Sequence, residues 1–161
     1  MRLLTTGCNT AIENLSNFLE AMSAPLANKM KSRIKDRGQL LEIIDNINSS
    51  GLPENTILVS FDVVNMFPNI DNERGINTLK TVFDQHTSRK PSTDCLIEAL
   101  RICLYSNNSI FNNINLLQTN GTATGAPNSC SYSDLALKPI DQAILAEAEL
   151  HYPELFFSGR Y

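Results

Sequence analysis

In the first third of the chain, apolar side chains recur every three or four residues, the spacing of one helix face. The capping-box pattern Thr10–Glu13 predicts the start of a helix that runs to about Met22 and that Pro25 ends or kinks. Asp36 is predicted to cap a second helix. The apolar positions behind these predictions are Ile12, Leu15, Leu19 and Met22, then Leu40, Leu41, Ile44 and Ile47.

Helical spacing returns in the second half of the chain. Asp71 and Glu73 are predicted to open a third helix, because acidic side chains in a first turn suit the helix dipole. A polar loop over residues 87–91 precedes a fourth helix, and a last helical pattern runs from Ser131 to about Leu150. The apolar positions of the third and fourth helices are Ile76, Leu79 and Phe83, then Leu96, Ile97, Leu100, Cys103 and Leu104.

Three segments have the pattern of strands. Residues 110–117 hold two short apolar pieces around an Asn-rich turn, which predicts a hairpin. The tail segment 155–157 is predicted to begin another strand. Residues 57–68 form a short, β-branched apolar run bounded by Pro53 and Pro68, which predicts a fully buried strand.

A single carboxylate, Asp62, interrupts the apolar run of residues 57–68. Burying an ionised carboxylate is costly unless a cationic side chain, backbone donors or a divalent cation compensates the charge. In the alternative interpretation Asp62 lies past the strand end and caps a turn, and composition favours neither interpretation. Phe67 follows five residues later, just before a proline.

Length and composition indicate one globular domain. The chain has 161 residues, 42% of them hydrophobic and 19% charged, which is enough to bury a core. No apolar run approaches the roughly 20 residues of a membrane span, so no membrane partner is expected. The N-terminus is too short an apolar stretch for a signal peptide. The scattered cysteines predict neither a zinc site nor a disulfide framework and favour an intracellular location. They are Cys8, Cys95, Cys103 and Cys130.

The net charge of −4 is unlike that of a generic nucleic-acid-binding protein, but the basic residues are clustered. Five of the 13 lie at alternate positions between Lys29 and Arg37 and would share one face of an extended chain, where they could follow a phosphate backbone. The alternative is a solvated edge. Arg74 is expected to form an ion pair on a helix surface rather than to contact a phosphate. The five clustered residues are Lys29, Lys31, Arg33, Lys35 and Arg37.

Residues 118–129 form an uncharged loop with two glycines, Gly121 and Gly125, directly before the last predicted helix. Glycines let a backbone approach a ligand closely, and a helix N-terminus favours anions. Most stretches of this kind are only turns. The glycine spacing fits neither a P-loop nor a dinucleotide-binding fingerprint.

Taken together, residues 59–70 and the loop of residues 118–129 resemble the palm of reverse transcriptases, especially those of Penelope-like elements and related animal retroelements. Val59 to Ile70 is similar to the first catalytic motif of that family almost residue for residue, and Gly121 to Pro127 resembles its second. Arg2 to Gly7 is a looser match to an arginine-bearing segment of the fingers. The resemblance implies an α+β fold with a short antiparallel sheet packed by helices. It places part of the fingers and palm helices in residues 1–52 and the palm in residues 53–161.

The resemblance implies RNA-directed DNA polymerase activity with an RNA template, a DNA primer and deoxynucleoside triphosphates. It assigns Asp62 and the carbonyl of Val63 to the two Mg²⁺ ions that such enzymes use. Phe67 would exclude a ribose 2′-hydroxyl; core packing is its alternative role. Gln118, Gly121 and Gly125 would shape the wall against the incoming nucleotide. Arg2 would neutralise triphosphate charge, and the basic residues from Lys29 to Arg37 would lie along template or primer.

The chain departs from the family at two places. Thr124 stands where the family usually has Gln or Met. The third motif, an aspartate pair, is missing, because the chain stops at Tyr161, just before its expected position. The chain alone is therefore expected to be an inactive fragment, and the parent element to act in the nucleus. The alternative is a non-catalytic remnant that at most binds nucleic acid.

Overall fold

The protein is a mixed α+β molecule, mostly helical, with a small two-stranded antiparallel sheet. The computed structural model describes residues 9–51, 54–57, 59–86 and 91–151. In chain order its elements are α1 (Glu13–Ala27), α2 (Arg37–Ser49), α3 (Met66–Asn69), α4 (Asn72–Asp84), α5 (Thr93–Tyr105), β1 (Asn108–Phe111), β2 (Ile114–Leu117) and α6 (Ser129–His151). The five predicted helices and the hairpin are therefore confirmed.

The predicted helix starts at α2 and α4 are confirmed at atomic detail. The carboxylate of Asp36 accepts a hydrogen bond of 2.9 Å from the backbone N–H of Gln39, and Asp71 accepts one of 2.7 Å from that of Arg74. At α1 the prediction is wrong in detail. Glu13 reaches back to the N–H of Asn9, and the helix begins after Ile12, which makes no side-chain cap bond. α1 continues past Pro25 to Ala27.

The core lies where α1, α4, α5 and α6 pack together. α4 and α6 approach closely at Gly75, where an added Cβ would lie 2.1 Å from the hydroxyl oxygen of Tyr132. α2 buries no residue and contacts no other described helix or strand. The largest fully buried apolar side chains of the core are Leu19, Ile76, Leu79, Leu100, Leu104, Tyr132 and Leu135.

The hairpin pairs β1 with β2 in antiparallel register, with Asn108 opposite Leu117. Asn112 and Asn113 both have positive φ, 48° and 59°, as a two-residue turn of the favoured twist requires. Neither strand contacts a described helix, and Ile110 is 74% exposed. The prediction of a sheet packed by helices is therefore wrong for this hairpin.

The prediction of a buried strand over residues 57–68 is also wrong. The described residues from 56 to 63 are neither helix nor strand, and α3 begins at Met66. Ile57 is 81% exposed and Phe61 is 91% exposed. An apolar run becomes a buried strand only when neighbouring strands satisfy its backbone groups. No described strand pairs with this run, and the described side chains from Ile57 to Val64 stay in contact with solvent.

Three further predictions fall on residues outside the described ranges. They are the tail strand at 155–157, the fingers segment with Arg2, and most of the polar loop at 87–91. None of the helices in the described part of the chain combines the length and the apolar character needed to cross a bilayer.

Candidate functional site

The loop before α6 is bonded directly to α3. The backbone N–H of Thr122 donates a hydrogen bond of 3.0 Å to the carbonyl oxygen of Phe67. This bond joins positions 55 residues apart in sequence. The two segments that define the family resemblance therefore meet, at the end of the first motif and the start of the second.

Gly121 makes this contact sterically feasible. Its φ is +68°, and an added Cβ would lie 2.2 Å from the carbonyl oxygen of Phe67 and 2.5 Å from the Cα of Pro68. Such distances are shorter than any side chain tolerates, and the positive φ disfavours every residue that has a Cβ. The sequence therefore needs glycine at this position for backbone approach, whatever the loop binds.

Side chains from within the loop fix its conformation. The side-chain amide of Gln118 donates to the carbonyl of Asn120 at 2.8 Å and to that of Thr122 at 3.1 Å. The hydroxyl of Ser129, the first residue of α6, donates to the carbonyl of Ala123 and lies 3.2 Å from the hydroxyl of Thr122. Gln118 therefore stabilises the loop conformation, because its side chain bonds to two carbonyl groups of the loop backbone.

Buried polar groups tie the loop to the helices, and the sequence patterns did not identify them. The hydroxyl of Ser16 in α1 donates to Asn128 Oδ1 at 2.6 Å and accepts from the N–H of Asn128 at 3.2 Å. Asn72 in α4 donates to the carbonyl of Thr119 at 3.5 Å. Ser16 lies on the buried face of α1, directly after Leu15. The only sequence signal for this contact was its small polar side chain.

Asp62 and Val63 lie in the exposed segment before α3. Asn65 then adopts a left-handed conformation with φ of 50°, which turns the chain into α3. Phe67 is half-buried and does not belong to the buried core cluster, so ordinary core packing does not account for it. Gly125 is exposed. Of the predicted site residues, the structure brings three together: Gly121 packs against the backbone of Phe67, and Gln118 bonds to Thr122, the residue that donates to Phe67.

The described residues do not by themselves complete a magnesium centre. Mg²⁺ requires roughly six oxygen ligands in octahedral geometry. Within the described ranges, no three Asp, Glu, His or Cys side chains converge in a way that could hold a metal ion. Asp62 would therefore be one ligand among several, and the others would have to come from elsewhere.

The basic residues from Lys29 to Arg37 do not form one extended face. Turns occupy part of this segment, and Arg37 begins α2. Arg33 turns inward, where its guanidinium pairs with Asp134 of α6 at 2.9 Å and bonds to Asn28. Lys29, Lys31, Lys35 and Arg37 are exposed.

Near the start of α4, the ion pair forms at Glu73 rather than at Arg74. Two hydrogen bonds of 2.7 and 3.1 Å from Arg101 lower the pKa of Glu73, and the hydroxyl of Tyr105 donates to the same carboxylate at 2.8 Å. Arg74 has no ion pair within the described part of the chain, so that prediction is wrong.

Comparison of the chain with protein-family models, curated proteins and solved structures gives no match. What is established is therefore a mostly helical α+β protein with a glycine-bearing loop seated on α3.

Proposed function

We propose that the chain is a segment of an RNA-directed DNA polymerase of a retroelement, which transfers deoxynucleotides to a primer 3′-hydroxyl on an RNA template. The observation that carries this proposal is the hydrogen bond from Thr122 to the carbonyl of Phe67. It joins two segments that resemble successive polymerase motifs, and a polymerase needs them side by side around the incoming nucleotide.

In this proposal Asp62 and the carbonyl of Val63 are two ligands of the two Mg²⁺ ions, and the remaining ligands come from outside the described residues. The metal pair, when bound, would stabilise both the attacking and the leaving oxygen. Asp62 is exposed and therefore accessible to a hydrated cation and to substrate.

The loop and its neighbours have separate roles. The position of Phe67, half-buried and outside the core cluster, supports a contact with the sugar of the nucleotide. Gly121 and Gln118 hold the loop against α3, and the exposed Gly125 lets backbone approach the base pair. Arg2 would neutralise the triphosphate. Template or primer would be contacted by four exposed basic residues, Lys29, Lys31, Lys35 and Arg37. Arg33 would hold this segment against α6 through its ion pair with Asp134.

Primer extension tests the proposal. The chain is extended with the sequence encoded after Tyr161, where the family pattern places an aspartate pair, and is assayed on an RNA template with a DNA primer. We expect Asp62→Ala to abolish extension, because a metal ligand is lost, while template binding stays within about twofold.

Asp45→Ala is the matched control, because Asp45 is an exposed acid on α2. It should leave extension unchanged. Extension at the normal rate by the Asp62→Ala variant would remove Asp62 from the mechanism. If the encoded sequence contains no aspartate pair and the extended chain does not polymerise, the chain is a non-catalytic remnant.

A further inference from the structure

An open cleft of about 620 Å³ runs between the outer faces of α4 and α6. Arg74 contributes one cation from α4, and Lys138 contributes another from α6. The side-chain amides of Asn77, Gln85 and Gln142 line the same cleft. No acidic side chain is among the described residues that line it. The lining is therefore cationic and rich in hydrogen-bond donors.

The two cations stand out because the chain carries more acids than bases, 17 against 13. Other basic side chains on these helices and their neighbours have carboxylate partners: Arg101 binds Glu73 and Lys80 lies 3.8 Å from Asp94. Within the described ranges, neither Arg74 nor Lys138 has such a partner. A cleft with two uncompensated cations and no carboxylate attracts anions.

The shape of the cleft favours a long anion over a compact one. Its wall on α4 runs from Arg74 to Gln85, which corresponds to roughly 16 Å at the helical rise per residue. It is open to solvent along one side, whereas a site for a single phosphate would surround it with converging donors. Asn77 and Gln85 lie along this wall, so donors continue along its length.

The two helices that form the cleft both begin next to segments of the candidate site. Gly75 faces Tyr132 near the starts of α4 and α6, and Gln85 and Gln142 line the cleft further along both helices. α4 starts just after α3, and α6 starts at the end of the glycine-bearing loop.

We infer that this cleft binds the sugar–phosphate backbone of a single-stranded nucleic acid. The inference rests on the proposed function for its choice of polyanion. Arg74 and Lys138 contact phosphates, and the amides bond to phosphate or sugar oxygens. No aromatic side chain lines the described cleft, so bases are not stacked there and binding is independent of sequence.

The test measures the affinity of the full chain for a fluorescein-labelled 12-nucleotide RNA of mixed sequence between 50 and 200 mM salt. Each phosphate contact contributes roughly 0.7 to the slope of log affinity against log salt concentration for a single strand. We expect the double variant Arg74→Gln/Lys138→Gln to lower this slope by about 1.4 and the affinity at 50 mM salt by about tenfold. Lys138→Gln alone should lower the slope by about 0.7.

Lys80→Gln is the matched control, because Lys80 is an exposed lysine of α4 that already has Asp94 as partner. It should leave the slope unchanged, and Arg74→Lys/Lys138→Arg should restore it. Unfolding curves identify any variant that has lost its fold. The inference fails if the double variant binds like the parent, if Lys80→Gln weakens binding equally, or if ATP displaces the RNA at concentrations matched in phosphate.

The same measurements separate this inference from the proposed function. If the RNA affinity depends on Arg74 and Lys138 but the extended chain never polymerises, the inference about the cleft is supported and the proposed polymerase function is overturned. If the extended chain polymerises but its RNA affinity does not depend on either residue, the proposed function is supported and the inference about the cleft is overturned.

Discussion

At the scale of single residues, Gly121 is the position where the site depends most directly on the side chain. Gly121→Ala places a Cβ 2.2 Å from the carbonyl oxygen of Phe67 and forces alanine to a φ of +68°. The left-handed conformation costs about 1–2 kcal/mol, and the clash adds about 1–3 kcal/mol. We expect the free energy of unfolding to fall by roughly 2–5 kcal/mol in a denaturant titration.

Gly51→Ala separates these two costs. Gly51 has a similar φ of +78°, but nothing lies within 4 Å of an added Cβ. Its variant lacks the clash, and because Gly51 directly follows α2, which contacts no other described element, its backbone cost of about 1–2 kcal/mol should appear in the hydrogen exchange of α2 rather than in global unfolding. Equal losses in the two variants would show that the loop does not press against α3.

The residues of the site were predictable to different degrees. Gly121 stood out because a glycine before a helix indicates close backbone approach, and the structure explains its need. The pair of Ser16 and Asn128 did not stand out, because they are 112 residues apart and each residue type is ordinary in isolation. Arg74 was expected to have a partner, but Glu73 lies on the side of α4 that faces Arg101 and Arg74 faces the cleft instead.

At the scale of elements, the N-caps of α2 and α4 have the same chemistry but different surroundings. Asp71 and Asp36 each accept one backbone hydrogen bond. α4 buries six residues in the body of the protein, whereas α2 buries none and contacts no other described element. The loss of a cap bond usually costs about 1 kcal/mol.

We therefore expect Asp71→Ala to lower the free energy of global unfolding by about 1 kcal/mol. Asp36→Ala should leave global unfolding unchanged and speed hydrogen exchange only at the amides of α2, because that helix can unfold alone. Denaturant titration and amide exchange by NMR measure the two effects. A global loss in the Asp36→Ala variant would show that α2 packs on the rest of the protein.

The helices were predictable because their signals are local. Each signal lies within its own helix or next to it: Asp36 caps α2, Asp71 caps α4, and the apolar spacing of α5 lies inside that helix. The segment from Ile57 to Val64 has equally clear local signals, but a strand needs partners that its own sequence cannot name. The pattern therefore indicated a local preference for extended backbone correctly, but the buried strand predicted from it is not formed.

At the scale of the whole molecule, the apolar surface is divided between a buried core and an exposed segment. Leu100 is 1% exposed, whereas Phe61 in the segment before α3 is 91% exposed. The exposed segment alternates Ile57, Val59, Phe61 and Val63, which is a strand-like face without a partner strand in the described structure. Such faces bind apolar dyes and promote self-association.

We expect the triple variant Val59→Thr/Phe61→Thr/Val63→Thr to bind less anilinonaphthalene sulfonate and to stay monomeric at higher concentration in sedimentation velocity. Each exposed change should alter the free energy of unfolding by no more than about 0.5 kcal/mol, because no core contact is lost. The control Leu100→Thr removes a buried side chain and should cost at least about 2 kcal/mol. If Phe61→Thr destabilised the protein as much as Leu100→Thr, the segment would be buried in solution, as the sequence pattern alone predicted.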